Sequence, residues 1–154
     1  MAKTRFKGRD KFRRKMQRLP DAIVEETRKG LAAAAKDIVD MQKRLAPKES
    51  GDLARSIKWT FGDVQRTAYS QGGRGVKGRL SVRISAGNTN VRYSHLVEFG
   101  AAPHIAGGAF KGSRHPGAPA QPFFYPAYRA KKRASTARIR RAMKRGAKKA
   151  VSTA

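Results

Sequence analysis

Apolar and small side chains recur at Ile23, Thr27, Leu31, Ala34, Ile38, Met41 and Leu45, in steps of four and three. That spacing lines one face of an α-helix and predicts a helix from about Pro20 to Leu45. Pro20 suits a first helical turn, and Asp21, Glu25 and Glu26 complement the positive end of the helix dipole. Lys43 and Arg44 do the same at the negative end, and Pro47 stops the helix. Upstream, Phe12, Met16 and Leu19 predict a shorter helical piece beneath basic residues.

After Ser50-Gly51-Asp52 the period changes from the helical one to two. Ile57, Trp59 and Phe61 alternate with Lys58 and Thr60, which predicts a half-buried strand. A glycine-rich basic loop at 71–78 leads to a second strand, with Leu80, Val82 and Ile84 expected inward and Ser81, Arg83 and Ser85 outward. The two strands are expected to pair antiparallel across this long hairpin, and Ala86-Gly87-Asn88 ends the second one in a turn. Two readings fit Tyr93 to Gly100: Tyr93, Leu96 and Val97 suit a short helix, while Tyr93, His95, Val97 and Phe99 suit a strand. Residues 101–122 read as a Gly-, Ala- and Pro-rich loop, of a length that in compact domains is usually functional or disordered. Pro122-Phe123-Phe124-Tyr125-Pro126 follows as an aromatic anchor, and a basic helix is expected from there to about Arg145, closed by Gly146. Its apolar stripe is thin (Tyr128, Ile139, Met143, padded with alanine), so it needs something to pack on or to bind.

Charge sharpens this outline. The chain of 154 residues carries 36 Lys and Arg against 10 Asp and Glu, a net charge of +26. Residues 1–18 contribute +8, residues 19–98 only +5, and residues 99–154 contribute +13 without a single acid. A middle segment of ordinary charge thus sits between two basic arms, and such blocks read as interaction tails for polyanions or acidic surfaces. There is no cysteine, which removes disulfides, thiolate zinc sites and cysteine nucleophiles. No apolar run approaches the roughly 20 residues of a membrane span, and the basic N-terminus lacks the apolar stretch of a secretory signal. A soluble, intracellularly made protein without membrane contact is expected.

Catalysis has little to stand on. His95 and Glu98 lie three apart, while His104 and His115 sit eleven apart in the glycine-rich loop, so no third ligand at short spacing completes a metal site. No histidine is placed as base for a serine nucleophile, and neither phosphate-loop fingerprint is present. No cofactor is expected. Glu98, the only acid after Asp63, reads as ion-paired or capping rather than catalytic. Phe110, Phe123, Phe124 and Tyr125 could stack on bases, but an aromatic cluster bracketed by prolines more often plugs a core or a subunit interface.

Three stretches together resemble one family. Ala46-Pro47-Lys48-Glu49-Ser50-Gly51-Asp52-Leu53-Ala54-Arg55-Ser56-Ile57 resembles its AP-x-x-[ST]-G-x-L-x-x-S-I junction after a long first helix. Tyr93-Ser94-His95-Leu96-Val97-Glu98-Phe99-Gly100 resembles its Y-x-x-x-V-E-F-G segment, and residues 115–127 (HPGAPAQPFFYPA) resemble its HPG-x-x-AQPF-x-x-PA segment. The family is that of neck, or head–tail joining, proteins of long-tailed bacteriophages, also described as tail components, and the likeness spans about residues 5–140 in order.

The resemblance implies an α+β fold, a small antiparallel sheet packed against a long N-terminal helix and a basic C-terminal helix. It implies a non-enzymatic virion structural protein of the neck, with copies of itself in a six- or twelve-fold ring, and portal-side and tail-side virion proteins as partners. Packaged DNA is a further candidate partner. A tail-terminator ring, or a general nucleic-acid-binding protein of ribosomal or nucleoid type, are the alternatives. The expected layout is a basic arm at 1–19, an α+β domain at 20–128 with flexible loops at about 71–78 and 101–121, and a basic helix and tail at 129–154. Tyr93, Val97, Glu98, Phe99, Gly100, Pro122, Phe123, Phe124 and Pro126 are expected to hold the fold or a subunit interface. Arg5, Lys7, Arg13, Arg14, Lys15, Arg129, Lys131, Lys132, Arg133, Arg138, Arg140, Arg141, Lys144 and Arg145 are expected to contact partners or nucleic acid.

Overall fold

The computed structural model describes residues 21–62, 70–72, 78 and 80–152. The basic arm at 1–19 with Arg5, Lys7, Arg13, Arg14 and Lys15, the helical piece at Phe12, Met16 and Leu19, Pro20, and residues 73–77 of the glycine-rich loop lie outside the described residues. In chain order the elements are α1 (Asp21–Leu45), α2 (Asp52–Ser56), β1 (Lys58–Phe61), β2 (Val82–Ser85), α3 (Ser94–Phe99), β3 (His104–Ile105), β4 (Arg114–His115) and α4 (Phe124–Ser152). The protein is α+β and rich in helix, with antiparallel two-stranded sheets beside two long helices. Among the described residues no helix is long and apolar enough to cross a membrane.

The predicted first helix is present, but its buried face is broader than the four-three stripe and shifted from it. Val24, Thr27, Gly30, Ala34, Ala35, Ile38, Val39 and Gln42 are buried, whereas Leu45, expected inside, is 44% exposed. The reason is α4. Ala142 of α4 lies against Gly30, Gly146 against Ile23, and the Phe124 carbonyl against Gln42, so the two helices run antiparallel along one another. Small residues form the seam. A Cβ added at Gly30 would stand 2.5 Å from the Ala142 Cβ, and one added at Gly146 would stand 2.8 Å from the Ile23 Cα. Backbones this close gain dispersion contacts that larger side chains would prevent. The thin stripe of the basic helix is therefore sufficient, because its cover is the first helix of the same chain.

Gly146 also corrects the expected end of this helix. The helix passes through it to Ser152, and Gly146 is buried at the crossing rather than placed as a cap. In a helix interior alanine is worth roughly 1 kcal/mol over glycine, while overpacking a close contact costs about 1–3 kcal/mol. Gly30→Ala is accordingly expected to lower stability despite its better helix propensity. Adding Ala142→Gly should recover part of that loss, measured as a non-additive double-mutant cycle in urea.

The two predicted strands pair antiparallel, Lys58 with Ser85, Trp59 with Ile84, Thr60 with Arg83 and Phe61 with Val82. A further bridge joins Gln71 to Ala86. The Trp59 and Phe61 rings meet edge to face at 5.3 Å, and the Arg28 guanidinium of α1 sits 4.1 Å from the Phe61 ring centroid. One expectation fails here. Arg83, predicted outward, is only 6% exposed, and Leu80 and Val82 are half-buried, with Leu80 outside the strand. A period of two separates the faces of a strand without saying which face the rest of the chain covers. The core gathers Val39, Ala46, Leu53, Ile57, Ala86, Val91, Phe123 and Phe124, with Trp59, Ile84 and Val97 packed against it.

The stretch expected as one loop at 101–122 contains a hairpin. His104 pairs with His115 and Ile105 with Arg114, a short 3₁₀ turn at Gly108–Phe110 closes it, and Ala101 and Ala118 bond both ways at 2.9 Å below it. Strands of two residues are too short for alternation to register, and backbone hydrogen bonds rather than apolar burial hold them.

Candidate functional site

The long α4 helix begins without a capping side chain of its own: Gln121, Pro122 and Phe123 precede its first residues where Ser, Thr, Asp or Asn would normally stand. Glu98 supplies the cap from another element. Helix α3 is anchored by Ser94, fully buried with its hydroxyl donating to the Ala86 carbonyl at 3.4 Å, and it turns Glu98 inward to 4% exposure. One carboxylate oxygen accepts from the Phe123 and Phe124 amides at 2.8 Å each, and the other accepts from the Tyr125 amide at 3.0 Å. A buried carboxylate on three amides at the positive end of a helix is doubly favoured, by charge-assisted hydrogen bonds and by the helix dipole. From the opposite side the Gln42 amide donates to the Phe124 carbonyl at 3.1 Å. Glu98 is thus a cap, one of the two roles its isolation in the sequence suggested.

The same junction laces two of the quoted segments together. The Gln121 amide donates to the Val97 carbonyl at 2.7 Å. Gly100 takes a positive φ of 75°, and a Cβ on it would stand 2.9 Å from the Ala118 carbonyl oxygen. The Ala46–Ile57 segment packs beside them. Its Ser56 hydroxyl donates to the Leu53 carbonyl at 2.7 Å and accepts from the Gly87 amide at 3.0 Å. Its Asp52 pairs with Arg55 at 2.7 Å, and hydrogen bonds from Arg55 and Ser50 hold the Asp52 carboxyl below its usual range.

Between the three segments lies a groove of about 700 Å³, walled by Pro47 and Leu53, by Leu96 and Val97 of α3, and by the base of the hairpin at His104 and His115. The two histidine rings stack with centroids 4.9 Å apart. Outside the groove, large apolar side chains face solvent: Phe99 at 66%, Ile105 at 73% and Phe110 at 75% exposure, the last two on the hairpin. The Phe99 ring lies 6.0 Å from that of Tyr125.

The residues expected to hold fold or interface therefore separate. Glu98, Phe123 and Phe124 are inside, and Val97, Gly100 and Pro126 are half-buried; Tyr93, Phe99 and Pro122 are outside. Burial removes Phe123 and Phe124 from any role as base-stacking platforms. Of the cations expected to meet partners, Arg138 pairs with Asp37 at 2.8 Å and Arg145 lies 3.9 Å from Glu26, both bridging to α1. Arg129, Lys132, Arg133, Arg140, Arg141 and Lys144 are exposed, and Lys131 is half-buried. Sequence reasoning missed Gln42, Ser56, Ser94 and the seam glycines. Only Gly30, a costly residue inside an alanine-rich helix, carried a signal of close approach. Among the described residues no group of three or more His, Cys, Asp or Glu gathers where it could hold a metal ion.

In comparison with known protein families, the family model described as "Bacteriophage HK97-gp10, putative tail-component" matches residues 10–100. That range takes in the Ala46–Ile57 and Tyr93–Gly100 segments. No curated protein and no solved structure matches the chain.

Proposed function

The chain belongs to the HK97-gp10-like family of bacteriophage tail components, and from that membership we propose that it works at the phage neck, joining head to tail as a ring of identical subunits. Family membership makes its role structural: what it does, it does by binding other virion proteins. The observation that carries the finer reading is the apolar surface around the groove. A lone subunit leaves Phe99, Ile105 and Phe110 in water beside an open groove, and exposed apolar patches of this kind mark interaction sites. Two different surfaces meeting head to tail, a groove edge on one copy and a hairpin on the next, generate a closed ring when the rotation closes.

The test is deletion of the gene from its phage, followed by electron microscopy of the lysate. DNA-filled heads beside separate tails of normal length are expected. Tails of uncontrolled length would move the protein to the tail terminator, and intact infectious particles lacking it would overturn a neck role altogether.

A further inference from the structure

The cations of α4 fall into two sets. Those flanking the seam are neutralised from α1: Arg138 by Asp37 at 2.8 Å, and Arg145 and Lys149 by Glu26 at 3.9 and 4.0 Å. The helix face turned away from α1 carries Arg129, Arg133, Arg140, Lys144 and Lys148, at steps of four, seven, four and four, all exposed. None of these five has an ion-pair partner among the described residues. Other acids of α1 are held within their own helix, Glu25 by Lys29 and Asp40 by Lys36, while Glu26 is shared between Lys29 and the seam cations. At 1.5 Å per residue the row is about 28 Å long, a little under the roughly 34–36 Å of one turn of duplex DNA.

We propose that this face of α4 is a binding site for the phosphate backbone of duplex DNA. An acidic protein surface is the competing occupant, and the make-up of the face argues against it. Protein interfaces are anchored by aromatic and other apolar side chains and are depleted in Lys at their centre. Here only small side chains (Ala130, Thr136, Ala137, Ala147) separate the charges, and the exposed rings of Tyr125 and Tyr128 stand before the row at the helix start. An unneutralised row of cations with no large apolar side chain between its members suits a polymer of phosphates, where each contact releases a condensed counterion. The site stands on the helix itself and does not require ring assembly, so it can fail or hold independently of the neck role.

The experiment measures affinity of the full chain for a 20-base-pair duplex across a salt series. Wild type should lose affinity steeply with salt. Replacing Arg133, Arg140 and Lys144 together by Gln, a good helix former on an exposed face, should lower the log–log slope by about 3, with the circular dichroism spectrum unchanged. A control triple on other exposed positions, Lys43→Gln, Arg44→Gln and Lys48→Gln, removes the same charge and should leave the slope within experimental error of wild type. The proposal is overturned if the α4 variant keeps the wild-type slope, or if the control lowers it equally. It is also overturned if polyglutamate binds as tightly as DNA and is equally weakened by the α4 variant, since the face would then be one for acidic protein.

Discussion

Glu98→Ala is expected to cost about 3 kcal/mol of unfolding free energy, seen as a lower urea midpoint with an unchanged slope. The side chain accepts from three amides of a buried helix start, and the nearest alternatives, Pro122 and Phe123, offer no acceptor side chain. Truncation therefore leaves the Phe123, Phe124 and Tyr125 amides to water that must enter a closed junction, and each unsatisfied donor costs about 1–3 kcal/mol. The effects do not add fully, because the helix end can fray. Glu98→Gln separates charge from shape. Its single amide oxygen can serve only one side of the site, and a neutral acceptor makes bonds about half as strong as a carboxylate, so it should fall between wild type and alanine. If both variants stayed within half a kcal/mol of wild type, the cap would be incidental to stability.

A second large effect should follow Phe123→Ala, about 3–5 kcal/mol. Phe123 is fully buried among the core residues from α1, α2 and the sheet, edge-on to Phe124 at 6.3 Å. Its removal opens a cavity in the core cluster to which α1, α2, the β1–β2 sheet, α3 and α4 contribute. Phe99→Ala deletes the same side chain from a position that is 66% exposed, and there the folding free energy should move by less than about 0.5 kcal/mol. Paired thermal and urea melts of the two variants would check this division of the aromatics. Equal losses would mean that Phe99 is part of the fold rather than of its surface.

Much of the architecture was legible because long elements repeat their signal. The first helix, with charges at both ends, and the strand at Lys58–Phe61 are present where the pattern puts them, although only Thr27, Ala34 and Ile38 of the seven spaced positions are buried and Thr60 is half-buried like its neighbours. The misreadings share a cause. The pattern puts Leu45 inward and makes Gly146 a stop because it treats each helix alone. The antiparallel partner determines which face is buried and makes glycine an asset at the crossing. Arg83 is buried against expectation because alternation separates the two faces of a strand without saying which one the chain covers. At the junction, Glu98 stood out as a solitary acid in a basic segment, and its role could be narrowed but not chosen, since its three amide partners lie 25 to 27 residues away. Gln42 had no signal at all, because its partner is a backbone carbonyl 82 residues later. The hairpin at 104–115 stayed hidden in glycine and proline.

The antiparallel pairing of the first and last described helices also orders events in time. The face of α1 that carries Val24, Thr27, Gly30 and Ala34 meets α4, which emerges from the ribosome about a hundred residues later. Until then the growing chain can form the helix but has not yet made the element that closes over it. Contacts so distant in sequence are slow to form, since the intervening chain must be gathered first. The nascent protein thus presents an open, alanine-lined helix face for most of its synthesis, and folding is completed by its most positively charged segment.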